Sequence, residues 1–211
     1  LALSGWNPNE PLQDPFCGSG TIAIEAAQIA CGIAPGLNRS FAFEKLHIFD
    51  LDEWNEMKED AKAEVNLHVP VKICASDISS IVVSKAQSNA QRAGLQTLLD
   101  DGRLTFSQCD AREVSPCHEN GIIVTNPPYG EQSNPKSATV ASMMKNVADN
   151  LKRQFSGWTA WMLTSDRKLP NQMRLSESRK IVIFNGPLEC RFFKFEMVRG
   201  SFRKKESSSK P

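Results

Sequence analysis

Leu12-Gln13-Asp14-Pro15-Phe16-Cys17-Gly18-Ser19-Gly20-Thr21, running on into the alanine-rich stretch from Ile22 to Ala30, is the segment whose reading decides the fold. Leu12 to Phe16 reads as a short apolar strand, and Ile22 to Ala30 as a buried helix. A strand, a glycine turn and a helix form the first half of a βαβ unit. Gly18 and Gly20 allow close backbone approach, and the helix start behind them offers unpaired N–H groups and the positive end of a dipole. The turn therefore reads as a cradle for a nucleotide or cofactor. The competing reading is a tight turn that needs glycine for steric reasons alone.

Further along, the same pattern recurs. Val71 to Ala75 reads as a second strand ending in Ser76-Asp77-Ile78-Ser79, and Leu104 to Cys109 as a third ending in Asp110-Ala111-Arg112. A carboxylate at the tip of the strand after a glycine turn suits two vicinal ribose hydroxyls. Asp77 is also placed to cap the helix expected over Ser80 to Gly94, and the two roles are compatible, but the glycine turn upstream favours the ribose. Asp110 suits the exocyclic amine of an adenine. Asp14, Asp77 and Asp110 thus end three successive strands, and a fourth, Ile122-Ile123-Val124, ends at Asn126-Pro127-Pro128-Tyr129 followed by Gly130.

Two prolines stop that fourth strand abruptly, since proline lacks the ladder N–H and fixes its own φ. An amide, carbonyls on a stiff backbone and an aromatic face suit a planar amino group held flat against a ring, as on a nucleobase. Taken alone, Asn-Pro and Pro-Pro are also ordinary turn dipeptides. The row of polar tips along one sheet edge favours a binding loop, because open α/β sheets bind ligands at the C-terminal ends of their strands.

The remaining chain completes the layout. Turn residues Ala34 to Arg39 end the first helix, and Trp54, Met57, Ala61 and Val65 recur at helical spacing, predicting an amphipathic helix on the sheet with Trp54 in the core. Arg39 and Lys45 read as solvated loop cations with a phosphate contact as the alternative. Thr139 to Phe155 reads as a helix, and Trp158 to Leu163, Lys180 to Phe184 and Cys190 to Met197 as strands. Asn185-Gly186 between the last two predicts a hairpin, so the sheet is expected to finish with an antiparallel edge strand. A mostly parallel sheet with such a hairpin is the plan of Rossmann-like S-adenosylmethionine-dependent methyltransferases.

At 211 residues and a net charge of +1, the chain supports one domain and carries no overall basic field, so nucleic-acid affinity has to come from local patches. Its six cysteines contain no Cys-x-x-Cys pair. That argues against a zinc site or a disulfide framework and points to a reducing cytoplasm. No signal peptide or membrane-spanning apolar run is evident. A start at Leu1 reads as part of a longer polypeptide, and the basic, serine-rich tail over 199–211 reads as disordered. His47, His68 and His118 lie apart from every motif, which argues against a histidine general base.

Taken in order, Asp14 to Thr21 with Ile24-Glu25-Ala26-Ala27, then Ala34-Pro35-Gly36-Leu37, Ser76-Asp77, Asn126-Pro127-Pro128-Tyr129-Gly130 and Asn185-Gly186-Pro187-Leu188 resemble one family. It is the methyltransferase domain of the bacterial 23S ribosomal RNA guanine-N2 methyltransferases of the RlmL type. The resemblance runs from about Ser4 to Met197, and the family usually carries an RNA-binding THUMP domain ahead of this one. It implies a class I α/β fold with a mostly parallel seven-stranded sheet and helices on both faces. It implies S-adenosylmethionine held by Asp14, Phe16, Cys17, Gly18, Ser19, Gly20 and Thr21, with Asp77 and Ile78 at the ribose and Asp110 and Ala111 near the adenine. Asn126 would border the cofactor and act on the substrate amine with Pro127, Pro128 and Tyr129, the partner being ribosomal RNA.

Other readings are a nicotinamide dehydrogenase, an RNA-binding module without catalysis, and an adenine-N6 or transfer-RNA guanine methyltransferase. The first lacks the third glycine of Gly-x-Gly-x-x-Gly, which is Ala23 here, and has no use for the Asn126 loop. An intact cofactor turn and an intact amine loop argue against the second. An adenine or a guanine amine would suit the loop equally.

Overall fold

Apolar strand segments alternate with helices and pair chiefly in parallel. In the computed structural model, which describes residues 1–128 and 137–198, β1 (Leu12–Asp14) pairs in parallel with β2 (Ile73–Asp77) and with β4 (Ile122–Thr125). On the outer side β2 pairs with β3 (Leu104–Gln108), and β4 pairs with β5 (Thr159–Thr164), again in parallel. A hairpin of β6 (Arg179–Asn185) and β7 (Leu188–Glu196) completes a seven-stranded sheet of order β3-β2-β1-β4-β5-β7-β6. This is the Rossmann-like class I methyltransferase architecture. Tyr129, Gly130 and the tail over 199–211 lie outside the described residues.

The hairpin differs in one respect from the sequence expectation. The antiparallel strand β7 is not the edge: it sits inboard between β5 and β6, leaving β6 outermost. Burial explains the choice. β7 places Phe192, Phe193 and Phe195 in the interior on both sheet faces, whereas no residue of β6 is fully buried.

Each face of the sheet carries its own apolar layer. On one, Leu12, Ile73, Ala75 and Leu104 meet Ala23, Ala26 and Ala27 of α1 (Thr21–Ala30) and Val83, Ala86 and Ala90 of α3 (Ser80–Arg92). Alanines on both helices let them lie close to the strands. On the other, Ile123, Ala160 and Met162 meet Met144, Val147, Ala148 and Leu151 of a long helix, Ser137–Gln154. Gln13 is buried among these layers but satisfied: its amide donates to Ser115 O at 2.9 Å and accepts from Cys117 N at 3.1 Å.

A helix over Leu51–Ala63 (α2) is present, but not where its periodicity placed it. It buries no residue. Trp54 is half-buried and packs on Phe41, Phe43 and Phe49 in a local aromatic cluster instead of entering the core. Arg39 lies over the Phe41 ring of the same cluster. Two short helices were not legible in the sequence, α4 (Gln96–Asp100) after α3 and α6 (Leu169–Met173) after β5. Taking the long helix as α5, the strand tips carrying Asp14, Asp77 and Asn126 share the C-terminal edge, with Asp110 just beyond β3.

Candidate active site

The turn after β1 is held from three directions. Cys17 N donates to Ser76 O of β2 at 2.9 Å, and Gly20 N to Cys17 O at 2.9 Å. Asn89 of α3 donates to Ser19 O at 2.8 Å. Gly18 and Gly20 have φ of +52° and +88°, a region L side chains rarely occupy. Only at Gly20 does packing add a second constraint: a Cβ there would meet Ala86, Ile24 and Phe106 at 3.1 Å each, whereas beyond Gly18 the space is open. Gly20 is also the N-cap of α1 and supplies no side-chain cap, so the helix start keeps donors for a ligand.

Asp77 spans the turn and the next helix. One carboxylate oxygen accepts from Gly18 N at 3.2 Å and the other from Ser79 N at 3.0 Å. Ser79, not Asp77, is the N-cap of α3, its hydroxyl accepting from Val82 N at 3.4 Å. Each Asp77 oxygen retains acceptor capacity for a further donor. Asp110 is engaged by its own neighbour, Arg112, whose Nε lies 2.9 and 3.0 Å from its two oxygens. Those hydrogen bonds hold the Asp110 carboxyl below its ordinary value.

Asp14 lies behind the wall of the site. It is 1% exposed, and its Oδ1 accepts from Thr125 Oγ1 at 2.6 Å and from Phe16 N at 3.1 Å, while Oδ2 is buried without a hydrogen-bond partner. Burial pushes its carboxyl up to about 7; the two hydrogen bonds oppose that rise and Asp77 adds to it. The buried Cys17 thiol is likewise pushed up to about 12, by desolvation first and then by Asp14 and Asp77, so it is not a nucleophile.

Together these tips border a cavity of about 590 Å³. Phe16, Asp77, Ile78, Asp110, Ala111 and Pro128, all singled out in the sequence, line it with Pro15 and Arg112. Ile78 offers an apolar surface, 63% exposed, beside the Asp77 carboxylate. Asp14, Cys17, Gly18, Ser19, Gly20, Thr21, Asn126 and Pro127 are not wall residues: the turn lies beside the cavity, Pro127 is buried, and Asn126 is exposed at the end of β4. Exposed His47, His68 and His118 are not wall residues either.

A family model, the RMKL-like methyltransferase domain, matches residues 1–194. The chain belongs to the RMKL-like methyltransferase family. A relative from Shewanella baltica, named ribosomal RNA large subunit methyltransferase K/L, is 40% identical over 97% of the chain. One of the same name from Shewanella sp. strain MR-4 is 41% identical over 97%. The chain spans only 29% and 28% of their respective lengths.

Among solved structures, SMU.472, assigned by its name to the methyltransferases and solved with SAH, superposes with a TM-score of 0.84 at 28% identity, covering 95% of this chain and 51% of that one. A protein from Clostridium difficile 630, named as a possible methylase, gives 0.83 at 32% over the same shares. A Listeria monocytogenes protein, named as a predicted N6-adenine-specific DNA methylase, gives 0.80 at 30%, over 92% and 48%.

The fold and family are those of S-adenosylmethionine-dependent methyltransferases, and the RMKL-like domain has features that suit the donor. Open space lies above a positive-φ glycine, helix donors are unpaired by any side-chain cap, and a carboxylate and an apolar side chain face the same cavity. The cavity is also lined by residues whose sequence pattern marks them only as packing or not at all. Val140, Ser142, Met143 and Asn146 of α5 form the wall opposite the acidic tips. Val140 and Met143 were visible as an apolar helix face, which does not distinguish a core wall from a cavity wall.

Proposed function

We propose that this domain transfers a methyl group from S-adenosylmethionine to the exocyclic N2 amine of a guanine in 23S ribosomal RNA. The observation that carries the reading is the junction of β1 and β4: the Thr125–Asp14 hydrogen bond joins the strand bearing the glycine turn to the strand bearing Asn126-Pro127-Pro128. A cofactor at the glycine turn and an amine at Asn126 would thereby lie side by side on one edge. The names of the Shewanella relatives support ribosomal RNA as the substrate class.

When bound, the donor supplies an electrophilic methyl on a sulfonium. The Gly18 to Thr21 turn and the start of α1 would hold its polar end. Asp77 would accept from the ribose hydroxyls with its remaining lone pairs, and Ile78, Phe16 and Ala111 would enclose the base, with Asp110 near its amine. Asp14 serves here as a brace for Phe16 N and Thr125 rather than as a ligand contact.

A guanine N2 lone pair is delocalised into the ring and is a poor nucleophile. The Asn126 side-chain oxygen and the Pro127 carbonyl would each accept a hydrogen bond from the amine, orienting it and favouring a more pyramidal nitrogen. The amine proton, strongly acidic once nitrogen has been alkylated, leaves to water. Most of the rate then comes from alignment instead of a strong base. The target base has to leave its stack, at a cost of a few kcal/mol, and stacking on Tyr129 would return about 1–3 kcal/mol.

The test is methyl transfer from labelled S-adenosylmethionine to unmodified ribosomal RNA, followed by nucleoside identification, with Asn126→Ala beside the wild type. N2-methylguanosine from the wild type, and loss of transfer with cofactor binding retained in Asn126→Ala, are the expected results. N6-methyladenosine would establish the second reading, which the name of the Listeria neighbour favours. Undiminished turnover by Asn126→Ala would overturn the role of the loop.

A further inference from the structure

We propose that the RNA strand flanking the target base lies across the β5–β7–β6 end of the C-terminal sheet edge, on a surface made by Phe184, Arg167 and Lys168. This rests on the reading of the substrate as RNA and extends it to the direction from which the strand enters. The direction follows from strand register. β5 pairs with β4 up to Thr125↔Met162, so the loop bearing Arg167 and Lys168 leaves the sheet on the same edge as Asn126. β7 is antiparallel to β5 with Thr164 opposite Arg191, so Leu188, Glu189 and Cys190 continue past the end of β5. With Asn185 opposite Leu188, the hairpin turn stands beyond that edge.

Phe184, 67% exposed, lies directly opposite Glu189, and Val182, 51% exposed, opposite Arg191, so all four side chains share one face. Glu189 is held by Arg167 at 2.8 Å and by Arg191. With Asp166 and Lys168 of the same loop, three cations stand against two carboxylates and leave the patch cationic, and the Arg167 side chain remains 66% exposed. Lys168 is exposed beside it. An open aromatic ring beside exposed cations is the combination that single-stranded nucleic acid uses for stacking and phosphate contact.

Charge along the chain points the same way. Residues 165–191 hold six Lys or Arg against three Asp or Glu, whereas residues 50–64 hold two against seven. The near-neutral total therefore hides a polarised molecule. The acidic excursion is tied by Asn66 N to Cys31 O at the far end of α1. A polyanion is repelled from that side and drawn to the hairpin side.

The experiment measures methyl transfer to deproteinised large-subunit ribosomal RNA at several salt concentrations, for the wild type, Phe184→Ala and the pair Arg167→Ala with Lys168→Ala. All three side chains are exposed, so folding is unaffected, which thermal melts verify. Phe184→Ala should raise the KM for RNA about tenfold. The double variant should flatten the dependence of log KM on log salt by about 0.7 for each cation removed. Saturating kcat and cofactor affinity should stay at wild-type values. KM and salt slope unchanged in both variants, with the wild type active, would overturn this surface while leaving the proposed function standing; a hairpin serving a protein partner would give that result. A wild type that transfers no methyl to RNA would overturn the function, and this surface with it.

Discussion

Thr125 Oγ1 donates to Asp14 Oδ1 at 2.6 Å, a buried contact between residues 111 positions apart that links the strand bearing the glycine turn to the strand preceding Asn126. Thr125 is fully buried, and Asp14 has one further donor, Phe16 N. Thr125→Val keeps the volume and strands an acceptor that is already poorly satisfied. It should cost about 1–3 kcal/mol in urea unfolding, with Thr125→Ser recovering most of the loss. Equal midpoints for the valine and serine variants would show that the hydroxyl is dispensable.

The buried Asp14 carboxyl predicts an unusual pH dependence. Its value in the fold, about 7, lies above that of an unfolded aspartate, so the native state binds this proton more tightly. The stability it contributes is complete below about pH 4 and declines as pH rises to about 7. Asp14→Asn removes the titration. The melting temperature of the wild type relative to Asp14→Asn should therefore fall between pH 4 and 7 and level off above. Parallel melting curves across that range would show that Asp14 is ionised in the fold throughout.

The two glycines of the turn should fail differently. Gly20→Ala meets both a positive φ and three neighbouring side-chain atoms at 3.1 Å, and should lose about 2–4 kcal/mol of stability. Gly18→Ala meets only the backbone term, about 1–2 kcal/mol. It places a methyl in open space beside the cavity, so cofactor affinity should fall more than stability does. Calorimetric binding with chemical denaturation separates the two, and a reversed order would contradict the cradle.

Two tryptophans test where the core ends. Trp161 is 2% exposed and stacks on Phe192 with ring centroids 4.6 Å apart, so Trp161→Ala should cost about 3–5 kcal/mol. Trp54 belongs to the local aromatic cluster outside both layers, and Trp54→Ala should cost less than half as much. Similar losses, read from denaturation midpoints, would mean that α2 folds as part of the main core.

Much of this was open to reading because local chemistry carries it. The glycine turn, the acids at successive strand ends and the two prolines after β4 are each dictated by what the backbone can do at those residues. The failures share a cause. The helical period of Trp54, Met57, Ala61 and Val65 defines an apolar face but not what lies against it, and the nearby Phe41, Phe43 and Phe49 took that role in place of the sheet. Asn185-Gly186 specifies a hairpin, yet which arm joins β5 depends on how much apolar surface each arm can bury on both faces. Asp77 and Ser79 compete for one cap, and the hydroxyl holds it because the carboxylate reaches back to Gly18.

By itself, the sequence determined the order of the strands and of the main helices, the glycine turn after β1 and the identity of the polar tips, since these depend on short-range sterics and on period. Only the tertiary structure decided that Asp14 is a buried brace to Thr125, that α5 lines the cavity, and that Arg167 and Lys168 leave the sheet on the same edge as Asn126. Each of these joins residues brought together by strand order and packing, and the energy of such contacts depends on distance through space, which local sequence does not encode.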